Sequence, residues 1–161
     1  MIAGVDTATS VLHPIRLETS DWSHLHAALS AARLPTGDLL LTGRRFFRIG
    51  PDGKAACYGG LKGNGPDLLL RSVVVPPPAR GRGAGRATML ALETEAARLG
   101  AVRLHLLTTT AAAFFQGLGY RPAERAAAPP AIAATAQFTS LCPGSATYLV
   151  KHIGPGAADE T

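Results

Sequence analysis

Two hydrophobic periods take turns along this chain. Trp22, Leu25, Leu29 and Ala32 recur at helical spacing after a Thr19-Ser20-Asp21 cap and before Pro35, which predicts an amphipathic helix. Arg44 to Gly50 and Lys54 to Leu61 read as paired strands around the turn Pro51-Asp52-Gly53. A glycine-rich turn over Lys62 to Pro66 leads into Asp67 to Val75, the predicted long central strand, so the three strands form an antiparallel meander. The helical period returns over Ala84 to Leu99, with Met89, Leu92, Ala96 and Leu99 on one face and Gly100 as the stop. Val102 to Leu107 is a short buried strand, and a strand–helix–strand connection makes it parallel to the central one. Val11 to Leu17 is a first strand, and Thr110 to Leu118 a short helix ended by Gly119. Tyr120 to Glu124 and Ala146 to Ile153 are further strands. Leu34 to Gly43 is a loop with helical potential around Asp38 to Leu41. Arg125 to Pro143 is irregular, broken by Pro129-Pro130, and residues 1–10 and 154–161 are flexible ends.

Composition narrows this to one domain over residues 1–161. Of 161 residues 47% are apolar and 17% charged, enough to build one core. The net charge is +5 and the pI about 9.8, with Arg80, Arg82 and Arg86 concentrated at one turn. A basic balance suits nucleic acid, a membrane surface or an anionic ligand, and its concentration at one turn favours the ligand. No apolar run approaches the roughly 20 residues of a membrane span. No signal peptide is expected from the N-terminus. Cys57 and Cys142 stand apart and suggest no metal site, so a cytoplasmic, reducing location is expected.

The chemistry is declared between Val73 and Arg86. A β-branched run, a proline stop, the turn Arg80-Gly81-Arg82-Gly83-Ala84-Gly85-Arg86 and a helix follow one another. Glycines let backbone N–H groups converge, and a helix start adds partial positive charge, so this order builds an anion cradle. Lys and Ser or Thr do not follow Gly85, which excludes a Walker-type loop. The glycine spacing also fails the dinucleotide fingerprint. A basic RGG-like loop on nucleic acid fits poorly between a strand and a helix.

The pattern Val75, Pro77, Arg80, Gly81, Gly83, Gly85, Arg86 resembles the acetyl-CoA signature of the Gcn5-related N-acetyltransferase superfamily. The resemblance implies an α/β (α+β) fold, with a mixed, mostly antiparallel sheet, a splayed parallel strand pair and flanking helices. It implies acetyl-CoA as co-substrate, with Val73, Val74 and Val75 along the pantetheine and Arg80 through Arg86 at the pyrophosphate. A second signature falls on Thr108, Ala111, Phe115, Gly119 and Tyr120, again near the cofactor. Here the family's usual asparagine is Thr108, and the tyrosine that often protonates the leaving thiolate is Phe115. The segments around Arg45, Arg71, Thr109 and Cys142 look like the arsenic-resistance N-acetyltransferase subgroup. That likeness implies acetylation of a phosphinothricin- or arsinothricin-like amino acid. The partner expected is therefore a small anionic amine, with no nucleic acid or membrane, and a homodimer as the assembly. Rival expectations are another small amine or protein amine as acceptor, or a non-catalytic acyl-CoA sensor.

Direct attack of a neutral amine on the thioester needs a base and an oxyanion donor. Main-chain N–H groups of Val73 to Val75 are the expected donors. His105, on the strand face opposite Val102, Leu104 and Leu106, is the candidate base, against a structural histidine. Arg45 alternates onto one face with Phe47 and Ile49, and Arg71 with Leu69, Val73 and Val75. Arginine on an apolar strand face needs an anion, so Arg45, Phe47, Arg71, Ser72 and Thr109 are candidate acceptor contacts. An internal ion pair or an edge position explains the arginines equally well, and helix capping explains Thr108 to Thr110. Cys142 as a nucleophile has no nearby sequence partner. His24 and His26 read as solvated, and Tyr58 and Tyr148 as packing residues.

Overall fold

The computed structural model describes residues 14–18, 22–34, 36, 44–50, 56–77, 83–135, 138–139 and 145–154. The expected Thr19-Ser20-Asp21 cap, the Pro51-Asp52-Gly53 turn and the helical potential around 38–41 lie outside these residues, as does Cys142.

The strands are β1 (Ile15–Arg16), β2 (Arg44–Ile49), β3 (Cys57–Lys62), β4 (Asp67–Val74), β5 (Arg103–Thr108), β6 (Arg121–Pro122) and β7 (Thr147–His152). Among the described residues the α-helices are α1 (Trp22–Ala31), α2 (Ala84–Arg98), α3 (Ala112–Gln116) and α4 (Pro130–Ala133). The strands form a seven-stranded sheet in the order β1-β2-β3-β4-β5-β7-β6. All neighbours are antiparallel except β4 and β5, which run parallel. This is the expected mixed α/β architecture, with the helix–strand order of the meander and crossover intact.

Alternation along β2 distributes apolar side chains to both faces. Phe47 and Ile49 join Leu61, Leu68, Met89, Leu92 and Leu104 in a core covered by α2. Phe46 joins Leu25, Leu29, Tyr58 and Val74 beneath α1. The helical period of α1 is thus spent on Leu25 and Leu29, each worth about 2–3 kcal/mol of burial. His24 and His26 are exposed, as read from the sequence.

Two irregularities shape the centre of the sheet. Gly60 registers with Arg71 but Tyr58 with Val74, so β4 carries one extra residue there. Ser72 absorbs it at φ 58, a left-handed conformation that costs a non-glycine residue about 1–3 kcal/mol. This bulge overturns the expected facing of Arg71 with Val73 and Val75. Arg71 lies over the Phe46 ring on the α1 side, while Val73 and Val75 pack toward the α2-side core. The second irregularity is the parallel ladder, which pairs only Asp67–Leu69 with Arg103–His105. Beyond Leu69 and His105 the two strands continue without registering on each other.

Candidate active site

A cavity of ≈ 660 Å³ opens where that ladder stops. Leu70 to Val75 line one side, and Leu106, Leu107 and Thr108 the other. Gly83 to Arg86 at the start of α2 close one end, Phe114 and Phe115 of α3 flank it, and Ala32 and Leu34 reach it from beyond α1.

The glycines at the α2 start do separate jobs. Gly83 caps the helix at φ 76, where a side chain would be strained. The first intrahelical bond of the turn is Ala87 N–H to Gly83 O, at 3.0 Å. The N–H groups of Ala84, Gly85 and Arg86 therefore have no partner inside the helix and carry its positive end. Gly85 makes room for Phe114, whose ring would stand 3.1 Å from any Cβ there. The cofactor residues expected from the sequence, Val73, Val74, Val75, Gly83, Ala84, Gly85, Arg86, Thr108 and Phe115, all line this one cavity. Arg80, Gly81 and Arg82 lie outside the described residues.

The expected acceptor residues divide. Arg71 and Ser72 line the cavity. Arg71 is only 6% exposed, its carbon lies over the Phe46 ring 5.5 Å from the centroid, and its Nε donates to Ser72 Oγ at 2.7 Å. Arg45 is elsewhere. It donates from Nη1 to Gly63 O (3.0 Å) and from Nη2 to Asn64 Oδ1 (3.1 Å), bracing the β3–β4 turn at the opposite end of β4. Its cost on an apolar face is met by that turn and not by a ligand. Phe47 is 2% exposed in the α2-side core, and Thr109 is exposed while its neighbours Thr108 and Thr110 face the cavity. The Thr108 hydroxyl accepts the Ala111 N–H at 3.0 Å, a turn bond just ahead of α3. The helix itself is capped at Ala111 with no side-chain cap bond, so the expected capping by these threonines is not what they do.

His105 also misses the cavity. It is 2% exposed, and its Nε2 lies 2.7 Å from Asp67 Oδ1 and its Nδ1 2.7 Å from the Tyr148 hydroxyl. Arg103 completes the group with a two-pronged contact to Asp67 at 2.7 and 2.9 Å. Burial lowers the His105 pKa, and the Asp67 carboxylate only partly opposes it. Burial alone would raise the Asp67 pKa, but Arg103 and His105 reverse that and hold it below the usual carboxylate range. Neutral His105 then donates from Nε2 to Asp67 and accepts the Tyr148 O–H at Nδ1. With both ring nitrogens committed and the side chain absent from the cavity lining, His105 is placed as a structural histidine would be, away from the position its strand face suggested for a base.

Sequence reasoning missed Phe114, 41% exposed on the cavity wall. Its signal was the pair Phe114-Phe115 on a short helix, of which only one ring can point inward. Phe115 meets Phe114 and Tyr120 edge to face, with centroids 5.1 and 5.7 Å away. Tyr120 in turn donates to Glu93 Oε2 at 2.9 Å, and Lys151 donates to Glu93 Oε1 at 3.0 Å. Burial and the neighbouring Glu93 push the Tyr120 pKa well above the ordinary tyrosine value, so its hydroxyl stays protonated. Ala32 and Leu34 were unreadable as wall residues, because their approach depends on how α1 lies on the sheet.

Comparisons with known proteins agree with this geometry. The family model of the acetyltransferase (GNAT) domain matches residues 43–122. Among curated proteins, mouse N-alpha-acetyltransferase 80 is 47% identical over 57 residues, which are 35% of this chain and 18% of that protein. Among solved structures, N-acetylglutamate synthase from Neisseria gonorrhoeae, complexed with coenzyme A and L-arginine, superposes with a TM-score of 0.71 at 17% identity, covering 89% of this chain and 33% of the synthase chain. Rv2747 from Mycobacterium tuberculosis, in complex with CoA, gives 0.67 at 20% identity, covering 85% of this chain and 96% of that one. The S18-alanine N-acetyltransferase from Escherichia coli gives 0.61 at 18% identity, covering 86% and 90%. At these identities the structural likeness establishes the fold. The chain spans less than a fifth of the curated relative it matches.

Proposed function

Because the family model of the acetyltransferase (GNAT) domain matches residues 43–122, we propose that this protein is an acetyl-CoA-dependent N-acetyltransferase acting by direct transfer on a small anionic amine. One observation carries the donor half. The cavity opens between β4 and β5 just past their last registered pair and ends at the first N–H groups of α2, which have no partner inside the helix. An elongated ligand with a pyrophosphate fits such a slot, with the phosphates on Ala84, Gly85 and Arg86. Val73, Val74 and Val75 line the pantetheine, and their main-chain N–H groups serve the carbonyl oxygen as charge develops there. The amine attacks the thioester carbon, the C–N bond forms and the C–S bond breaks. Phe115 has no proton to supply to the sulfur.

The acceptor half rests on Arg71. A nearly buried guanidinium on the cavity wall suits a carboxylate, phosphinate or arsonate on the incoming amine. Amino acids of the phosphinothricin and arsinothricin kind are the first acceptors to try. The test is thiol release from acetyl-CoA with a panel of amines. Turnover is expected with amino acids that carry a second anionic group. Arg71→Ala should raise KM for the acceptor about 10- to 100-fold, as for a charged hydrogen bond of roughly 1.5–3 kcal/mol, and leave KM for acetyl-CoA within about twofold. Equal effects on both substrates count against Arg71 as the acceptor contact. Binding of acetyl-CoA without turnover of any amine would favour the sensor reading, which the missing hydroxyl at Phe115 supports.

A further inference from the structure

Ser72 occupies a position that geometry reserves for glycine. Among described residues only Ser72 and Arg33 combine a side chain with a positive φ. Arg33 lies just past the end of α1, where left-handed residues routinely stop helices. Ser72 sits inside β4, at the bulge, and on the cavity wall. Glycine would take φ 58 without steric penalty. A serine kept there at a cost points to use of its hydroxyl, since strain gathers where function over-determines the backbone.

The hydroxyl is also tuned. Its oxygen accepts the Arg71 Nε–H at 2.7 Å, the length of a charge-assisted bond. Accepting from a guanidinium makes the hydroxyl a stronger donor through its own hydrogen. That hydrogen rotates freely and can turn into the cavity. In the transfer proposed above the carbonyl oxygen has main-chain donors, and the amine site has Arg71. For the departing sulfur Phe115 offers no hydroxyl, although the resemblance places a proton donor at its position.

On the acetyl-CoA reading, we propose that Ser72 is a catalytic residue whose Oγ–H donates a hydrogen bond to the thioester sulfur as the C–S bond breaks. The amine lone pair forms the C–N bond, and the C–S pair departs on sulfur. The amine proton passes to solvent, and water later protonates the thiolate. Ser72 keeps its proton throughout.

Two variants and two readouts test this. Ser72→Gly removes the hydroxyl and the strain together, whereas Ser72→Ala removes the hydroxyl and keeps the strain. Both should lower the single-turnover rate about 10²-fold, as for loss of one transition-state donor, with KM for acetyl-CoA within about twofold. The melting temperature of Ser72→Gly should equal or exceed that of the unaltered protein. Independently of turnover, the thiol of bound CoA, followed by its thiolate absorbance, should titrate lower in the unaltered protein than in Ser72→Gly, by about one pH unit. A Ser72→Gly variant with full single-turnover rate, or with the same bound-thiol titration, overturns the role of Ser72 and leaves the acetyltransferase reading standing. An unaltered protein that binds neither acetyl-CoA nor CoA overturns both.

Discussion

Gly60 shows how one missing side chain sets Arg71 on the cavity wall. It registers with Phe46 on one flank and with Arg71 on the other. A Cβ at Gly60 would stand 2.8 Å from the Phe46 ring and 3.4 Å from Arg71 Cγ. With only hydrogen there, the ring and the guanidinium close over the gap and stack. Phe46 cannot swing aside, since Trp22 meets it edge-on with centroids 5.9 Å apart. Gly60→Ala should therefore overpack this row and cost about 1–3 kcal/mol. A lower denaturant midpoint at unchanged m-value would report it. Because Arg71 must shift with the ring, KM for the acceptor should rise as well. A variant of full stability and unaltered acceptor KM would show that Arg71 does not depend on this packing.

At the scale of elements, the parallel pair is held together just below the point where it parts. Asp67 on β4 receives Arg103 and His105 from β5, and His105 receives Tyr148 from β7. Three strands are thereby tied across the apex of the opening. The depressed pKa values of Asp67 and His105 fix the sign of its pH dependence. Both folded-state values lie below the unfolded ones, so the stabilisation is complete above the ordinary histidine range. It fades as pH falls, the His105 part from the ordinary histidine value down through its lowered one and the Asp67 part from the ordinary carboxylate value down through its lowered one. Melting temperature should fall on acidification in that window, and His105→Ala should flatten the histidine part of the fall. The substitution leaves Asp67 and the Tyr148 hydroxyl short of a partner, at about 1–3 kcal/mol each. The pH–rate profile of the folded variant should keep its shape; a lost ionisation there would return His105 to the chemistry. The elements themselves were legible in the sequence because periodicity and turn residues encode them locally. The bulge at Ser72 was not. One inserted residue reverses every later facing, and alternation alone cannot reveal it. For the same reason Arg45 and Arg71 looked alike, although long-range register sends one to a turn and the other to the cavity. Val102 was read one residue too early as core-facing and is exposed ahead of β5.

Across the whole molecule, the sheet divides two cores, and the cavity is the gap left in the divider. The α2-side cluster and the α1-side cluster share β2, β3 and β4, so a ligand between β4 and β5 touches walls belonging to both. The end of the cavity at the start of α2 was readable because strand, glycine turn and helix start are contiguous in sequence. The Arg71 wall draws on β4, the chain beyond α1 and the packing of Phe46, which only the assembled fold brings together. Ligand binding should accordingly stabilise the domain as a unit. At 100 times its dissociation constant, CoA should add about 2.7 kcal/mol. For a chain of this size that corresponds to a rise of roughly 5–10 °C in melting temperature. Hydrogen exchange should locate the contact, slowing at residues 70–75, 83–86 and 106–111 and leaving the Gly63–Asp67 turn unchanged. Slowing at that turn, with none at the start of α2, would place the ligand at the Arg45 end of the sheet and remove the basis for the proposed site.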